Sequence, residues 1–266
     1  MKLTILDKTG TKVGDFDLEL HEDIREDIFK KAYLAENSLF KQEQGADPEA
    51  GKKAAIHLSK RRRKFRTTYG RGGSRTPKKV MWARGRQLRF VGAFAPNTVG
   101  GRKAHPPKAE KKIYGNINNK EWERALRVGL AACFDKELVS KNGQKVPENY
   151  PLVLDDSLEA LSKTKEVEEA LVKLGFEEEV ARTKVRKVRA GHGTMRGRTY
   201  KDKRGPLVVV SKEEAPLIKA VKNVKGFEVL TPELLMVSDF GMSEKPGRAL
   251  LFTKSALAEF KEVLSQ

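Results

Sequence analysis

The chain alternates between stretches with a clear hydrophobic period and stretches with none. Its start reads LTIL, then DKTG, then KVGDFDL, which predicts two short strands around a glycine turn. Asp23 followed by Glu26 predicts a capping box, and Ile24, Ile28, Ala32, Ala35 and Leu39 recur at helical spacing, so a helix is expected through about Gln44. Periodicity then stops, and residues 46–117 hold Gly, Pro, Arg and Lys with scattered aromatics. It resumes at Asn118, where an Asn cap with Glu121 three residues on precedes Trp122, Ala125, Leu126, Leu130, Cys133 and Phe134 on one face.

Beyond residue 150 strands and helices alternate. PLVL leads into a helical stretch over 157–174 closed by Gly175; LVVV at 207–210, a helix near 213–223, FEVL, ALLF and a last helix over 255–264 follow. Short, wholly apolar strands between amphipathic helices are the mark of a sheet covered on both faces. The fold expected is a three-layer α/β/α body around a mainly parallel sheet, formed by residues 1–45 and 115–266. Residues 46–114 are expected to form a long, extended, non-globular arm inserted into that body.

Charge separates the same parts. From residue 57 to 112 there are 18 Lys/Arg against one acid, Glu110, a net of +17; residues 182–204 hold 10 against Asp202, a net of +9. The chain total is +18, so the other 187 residues carry −8 and compose a mildly acidic body. Within the arm, RRRKFRTTYGRGGSRTPKK at 61–79 packs nine cations and three glycines into nineteen positions. Its few large apolar groups cannot repay the chain entropy of folding, so order is expected only on a polyanion. Nucleic acid matches that charge density, with Phe65, Tyr69, Trp82, Phe90, Phe94 and His105 able to stack on unpaired bases. A there-and-back arm has legs of about 28 residues that reach at most roughly 90 Å, which suits threading into folded RNA better than reading a DNA groove. The basic loop at 189–205 repeats this composition within the body.

Other chemistry is weakly signalled. AGHGTMRG at 190–197 has a glycine-rich spacing, but the preceding VARTKVRKVR reads as a basic helix rather than a buried strand, and no Gly-Lys-Ser/Thr ending follows. His21, His57, His105 and His192 show no metal-ligand spacing, and the single cysteine, Cys133, lies on an apolar helix face as inert core. Asp155 and Asp156 follow a strand and are read as helix caps rather than as an acid–base pair. Neither metal nor cofactor is expected. The longest uncharged apolar run, around VGLAACF, is far shorter than a membrane span, so neither secretion nor membrane insertion is expected. Two rival readings stay open: an RNA-modifying or nucleotide-dependent enzyme using loop 190–197, and a regulatory module binding mRNA or DNA.

GRKAHPPKAEK at 101–111, AGHGTMRGRTYK at 190–201 and the PGR at 246–248 before ALLFTKSALAEF resemble the L four family of large ribosomal subunit proteins, in its archaeal and eukaryotic-like branch. The likeness spans essentially the whole chain. It implies a non-enzymatic α/β body on the solvent side of the subunit, with an arm threaded into large-subunit (23S-type) rRNA. The arm's tip would approach the wall of the peptide exit tunnel, near the nascent polypeptide and beside another tunnel-lining protein. Neighbouring large-subunit proteins are the other partners implied, with no membrane and no homo-oligomer. Carried over by position, Tyr69, Gly70, Arg71, Gly72, Gly73, Ser74 and Arg75 form the tip, with Arg71 and Arg75 facing the tunnel or its RNA wall. Arg61, Arg62, Arg63, Lys64, Arg66, Lys78, Lys79, Trp82, Arg84, Arg86 and Arg89 lie along the legs on rRNA, and Arg102, Lys103, His105 and Lys108 stand at the return into the body. Gly191, His192, Gly193, Arg196, Arg198, Tyr200 and Lys201 would dock the second loop on RNA.

Overall fold

The computed structural model describes residues 2–18, 22–53, 56, 61–64, 67–70, 72–85 and 87–265. Contacts divide the chain into two units, residues 1–40 with 114–266, and residues 41–113. The first unit begins with β1 (Lys2–Leu6), β2 (Lys12–Asp17) and α1 (Glu26–Leu39), and the second contributes β3 (Lys78–Arg84) and β4 (Gln87–Gly92). The first unit then continues through α2 (Asn119–Phe134), α3 (Lys136–Lys141), β5 (Leu152–Leu154), α4 (Thr164–Lys173) and α5 (Glu177–Lys184). It closes with β6 (Lys187–Val188), β7 (Tyr200–Lys201), β8 (Leu207–Val209), α6 (Pro216–Lys222), β9 (Glu228–Leu230), β10 (Leu250–Thr253) and α7 (Lys254–Ser265).

Six strands form one sheet in the order β2-β1-β5-β10-β8-β9, antiparallel only at the β1–β2 edge. Because side chains alternate along a strand, each apolar run supplies both faces. Leu152, Leu154, Val208, Val210 and Leu251 point into one core with residues of α4, α5 and α6. Val153, Leu207, Val209, Leu250 and Phe252 point into the other with residues of α1, α2 and α7. The body is thus the α/β/α sandwich that the apolar strands predict. Gly129 of α2 lets that second face close: a Cβ there would stand 3.1 Å from both Phe240 and Phe29.

Several elements differ from the sequence pattern. Helix α1 starts at Glu26 after Arg25, which makes no side-chain cap, so Asp23 does not cap it; Asn118 likewise precedes α2 without a side-chain hydrogen bond. Its buried stripe runs through Phe29, Ala32, Ala35 and Glu36, while Leu39 is exposed and Ile24 lies ahead of the helix. A carboxylate can occupy this stripe because it is fully partnered: Glu36 accepts from Trp122 Nε1 (2.5 Å) and from the backbone N–H of Val237 (3.0 Å) and Ser238 (2.7 Å). The stretch 157–174 is not one helix but a 3-10 turn, Asp156–Ala160, followed by α4. Glu159 pins that turn to the sheet, accepting from Ser211 N (3.2 Å) and Thr253 Oγ1 (2.7 Å). The basic helix ends at Lys184, and the residues beyond it enter β6.

In the second unit the aperiodic reading overlooks a hairpin. β3 (KKVMWAR) pairs antiparallel with β4 (QLRFVG), with Gly85 at φ +53° opening the two-residue link. Val, Trp and Phe favour the pleated backbone, but Gly and Arg on either side mask the alternation. Among the described residues, neither hydrophobic core includes one from 41–113, and Met81, Trp82, Val91 and Phe94 are exposed.

Two outcomes check this packing. Gly129→Val should lower unfolding stability by about 1–3 kcal/mol in urea titrations, through overpacking against Phe240 and Phe29. Cys133, whose thiol burial pushes up to about 12, should react with thiol reagents at pH 8 only as the protein unfolds.

Candidate nucleic-acid interface

The cation-rich segment 61–75 takes its shape from short-range contacts. Thr67, almost fully buried, donates from Oγ1 to Arg61 O (2.9 Å) and accepts from Tyr69 N (3.3 Å), drawing the backbone around Arg61 towards Tyr69. Gly70 (φ +76°) and Gly72 (φ +65°) then turn the chain through the left-handed region, where glycine carries no steric cost. The result brings three predicted residues together: the guanidinium carbons of Arg62 and Arg75 lie 4.7 Å and 4.5 Å from the Tyr69 ring centre. Arg61, Arg63, Lys64, Gly72 and Ser74 are exposed, and Gly73 sits beside the Lys78 ammonium. Arg66, Arg71 and Arg86, with Phe65 and His57, lie outside the described residues.

Along the hairpin, Lys78 lies 5.9 Å from the Phe90 ring centre, Lys79 is half-buried, and Arg84 is exposed. Trp82, half exposed, is directly across the ladder from Arg89. Further on, Lys103, His105 and Lys108 line one groove with Gln44, Pro106 and Lys111. Arg102 is separate from these, its stem under Gly51 and its NH1 donating to Lys103 O (3.2 Å). Among the described residues between 54 and 109 no cation pairs with a carboxylate, because the sequence has no acid from 50 to 109.

The loop at 189–205 is built differently. β6 and β7 pair antiparallel at its base, and Arg186 lies 4.3 Å from the Tyr200 ring centre while donating to Asp202 (2.8 Å). Arg189 folds under the loop and donates to Arg198 O (2.9 Å) and Tyr200 O (3.3 Å). Gly193 lies close over that side chain: a Cβ there would stand 2.6 Å from Arg189 Cδ, so Arg189 would have to shift. Gly191, His192, Arg196, Arg198, Tyr200 and Lys201 are exposed. Half of the ten cations in 182–204 therefore serve the fold: Arg182 pairs with Glu179, Lys184 with Glu168, Arg186 with Asp202 and Arg204 with Glu228, and Arg189 holds the loop. Lys187, Arg196, Arg198, Lys201 and Lys203 form no ion pair among the described residues.

The carboxyls that follow β5 are caps. Asp155 accepts from Ser157 N (3.3 Å), and Asp156 accepts from Ser255 N (3.0 Å) at the start of α7. Sequence reasoning missed the support of the second loop. Arg248, fully buried, donates from Nε to Gly205 O (2.8 Å) and from NH1 to Glu228 Oε2 (2.7 Å), an oxygen that also accepts from Arg204 NH2 (3.0 Å). Arg204 reaches on to Gly241 O (2.9 Å). Burial drives the Arg248 pKa down and acts to raise that of Glu228, but the two guanidinium groups outweigh it and hold the Glu228 carboxyl below its ordinary range. The arginine of the PGR motif is thus the anchor of the loop's exit.

The chain is thus a basic α/β sandwich protein with two concentrations of cations, an insertion that lacks any carboxylate from residue 50 to 109 and a hairpin loop. The sequence model of the Ribosomal protein L4/L1 family matches residues 18–263, and the chain belongs to that family. It is 40% identical over 264 residues to the "Large ribosomal subunit protein uL4" of Nanoarchaeum equitans (strain Kin4-M), covering 98% of each chain. The protein of the same name from Halobacterium salinarum is 37% identical over 264 residues, 97% of this chain and 98% of that one. That of Saccharolobus islandicus (strain M.14.25 / Kamchatka #1) is 34% identical over 271 residues, 98% and 94% respectively.

Removing the buried anchor takes a donor from the Glu228 carboxylate and from the backbone carbonyls of Gly205, Pro206 and Asp239. Arg248→Ala should therefore lower stability by about 3–5 kcal/mol, read as a fall in the urea midpoint, with faster amide exchange at Gly205.

Proposed function

We propose that this chain is a structural constituent of the large ribosomal subunit. It binds large-subunit rRNA, supports its assembly, and places the tip of residues 46–114 in the wall of the polypeptide exit tunnel, beside another tunnel-lining protein and the nascent chain. Its place is the ribosome in the cytoplasm, and its role is architectural rather than catalytic. The observation that carries this reading is the run from 50 to 109: sixty residues without a carboxylate, whose Arg61, Arg62, Arg63 and Lys64 are exposed. Such a segment lowers its own electrostatic energy only by meeting dense negative charge, and rRNA supplies one phosphate per nucleotide. Membership of a ribosomal protein family agrees with it.

The glycine-rich loop does not favour a nucleotide enzyme. AGHGTMRG joins two antiparallel strands, whereas a phosphate cradle runs from a strand into the N-terminus of a helix. Its exposed cations suit a second RNA contact. No helix among the described residues is long and apolar enough to cross a membrane.

Deleting residues 61–89 should leave the body folded, with its unfolding transition retained, yet block stable subunit assembly; normal incorporation into subunits would refute the reading. If about ten phosphates are engaged, log K for rRNA should fall against log salt with a slope near −7 to −9, and a flat dependence would exclude the electrostatic mechanism.

A further inference from the structure

We propose that Arg62, Tyr69 and Arg75 form a preassembled phosphodiester clamp, in which Tyr69 is a positioning residue that holds two guanidinium groups ready for the backbone of an RNA strand. The proposal rests on the rRNA-binding reading and deepens it, because it names which tip cations bind first and what arranges them.

The argument starts from the ring. Both guanidinium carbons lie within 5 Å of the Tyr69 centre, 4.7 Å for Arg62 and 4.5 Å for Arg75. A guanidinium held over an aromatic ring keeps its N–H donors in its own plane, so the ring restricts the group without consuming its hydrogen bonds. Neither arginine forms an ion pair among the described residues, and both are exposed. Two like charges held at one ring repel each other, an arrangement that an anion bound to their outward donors relieves. Bidentate guanidinium–phosphate pairing supplies that anion with the right geometry.

The second loop provides the contrast. There Arg186 also lies over a tyrosine, Tyr200, but Asp202 already occupies its donors at 2.8 Å and 3.2 Å. The tip has the same cation–aromatic arrangement with the acid omitted. Backbone turns fix the tip's version in place, since Thr67 ties Arg61 to Tyr69 and Gly70 and Gly72 carry the chain on towards Arg75.

The test uses the full-length protein with two probes: a labelled 20-nucleotide oligouridylate, and an abasic phosphodiester of equal length. Tyr69→Leu should weaken binding of both by about tenfold, because two long side chains must then be ordered on binding, while Tyr69→Trp stays within twofold of the parent. In an R62Q/R75Q background the Tyr69→Leu change should add nothing. A penalty confined to the oligouridylate would show that Tyr69 stacks on bases instead, and would overturn the clamp. So would an unchanged affinity of Tyr69→Leu, or additive effects in the double background. Parent protein that binds either probe without salt dependence would instead refute the rRNA-binding reading itself, and the clamp with it.

Discussion

Charge compensation is the constraint on which this structure depends. In the body, cations meet acids: Arg182 reaches Glu179 at 2.6 Å, Lys184 reaches Glu168 at 2.8 Å, and Arg204 and Arg248 share Glu228. Between residues 50 and 109 that option does not exist, because no acid is present. Exposed like charges closer than a Debye length of about 8–10 Å repel one another, so this stretch retains an attraction for anions that the paired cations of the body have already satisfied. Local devices such as the Tyr69 ring and the β3–β4 ladder give it shape without neutralising it.

The body in turn fixes where the insertion leaves and returns. Glu36 of α1 is held by Trp122 of α2, and Ser38 Oγ accepts from Gly115 N at 2.7 Å. The residues that precede the insertion and those that follow it are thereby neighbours, and both rest on a sheet buried on its two faces. Ordinary packing of the helices α1 and α2 therefore brings together, within the body, the two points at which the chain departs and resumes. The same logic operates at the second loop, whose exit at Arg204 and Gly205 is locked by the buried Arg248.

Much of this was legible from the chain. Runs such as LVVV and ALLF, apolar at every position, can only be strands covered on both faces, and Val208 and Val209 do face opposite cores. The placement of cations was equally plain, since composition needs no folding rule. Partnership was not legible. Nothing in the spacing of Arg186 and Asp202, or of Glu228 and Arg248, reveals that they meet, because ion pairs distant in sequence follow from topology rather than period. For the same reason a periodic reading gave α1 an apolar stripe ending at Leu39, whereas a satisfied carboxylate at Glu36 holds the buried position. The hairpin of residues 78–92 escaped notice because two turns' worth of Gly and Arg drown a short alternation.

The central claim is that an insertion without a carboxylate from residue 50 to 109 takes its place on a large ribosomal RNA. Sedimentation of the native protein from cell extract, after washing the ribosomes in high salt, tests it most directly. The account predicts one copy per large subunit travelling with that subunit; finding most copies in the light fractions, free of it, would contradict the claim.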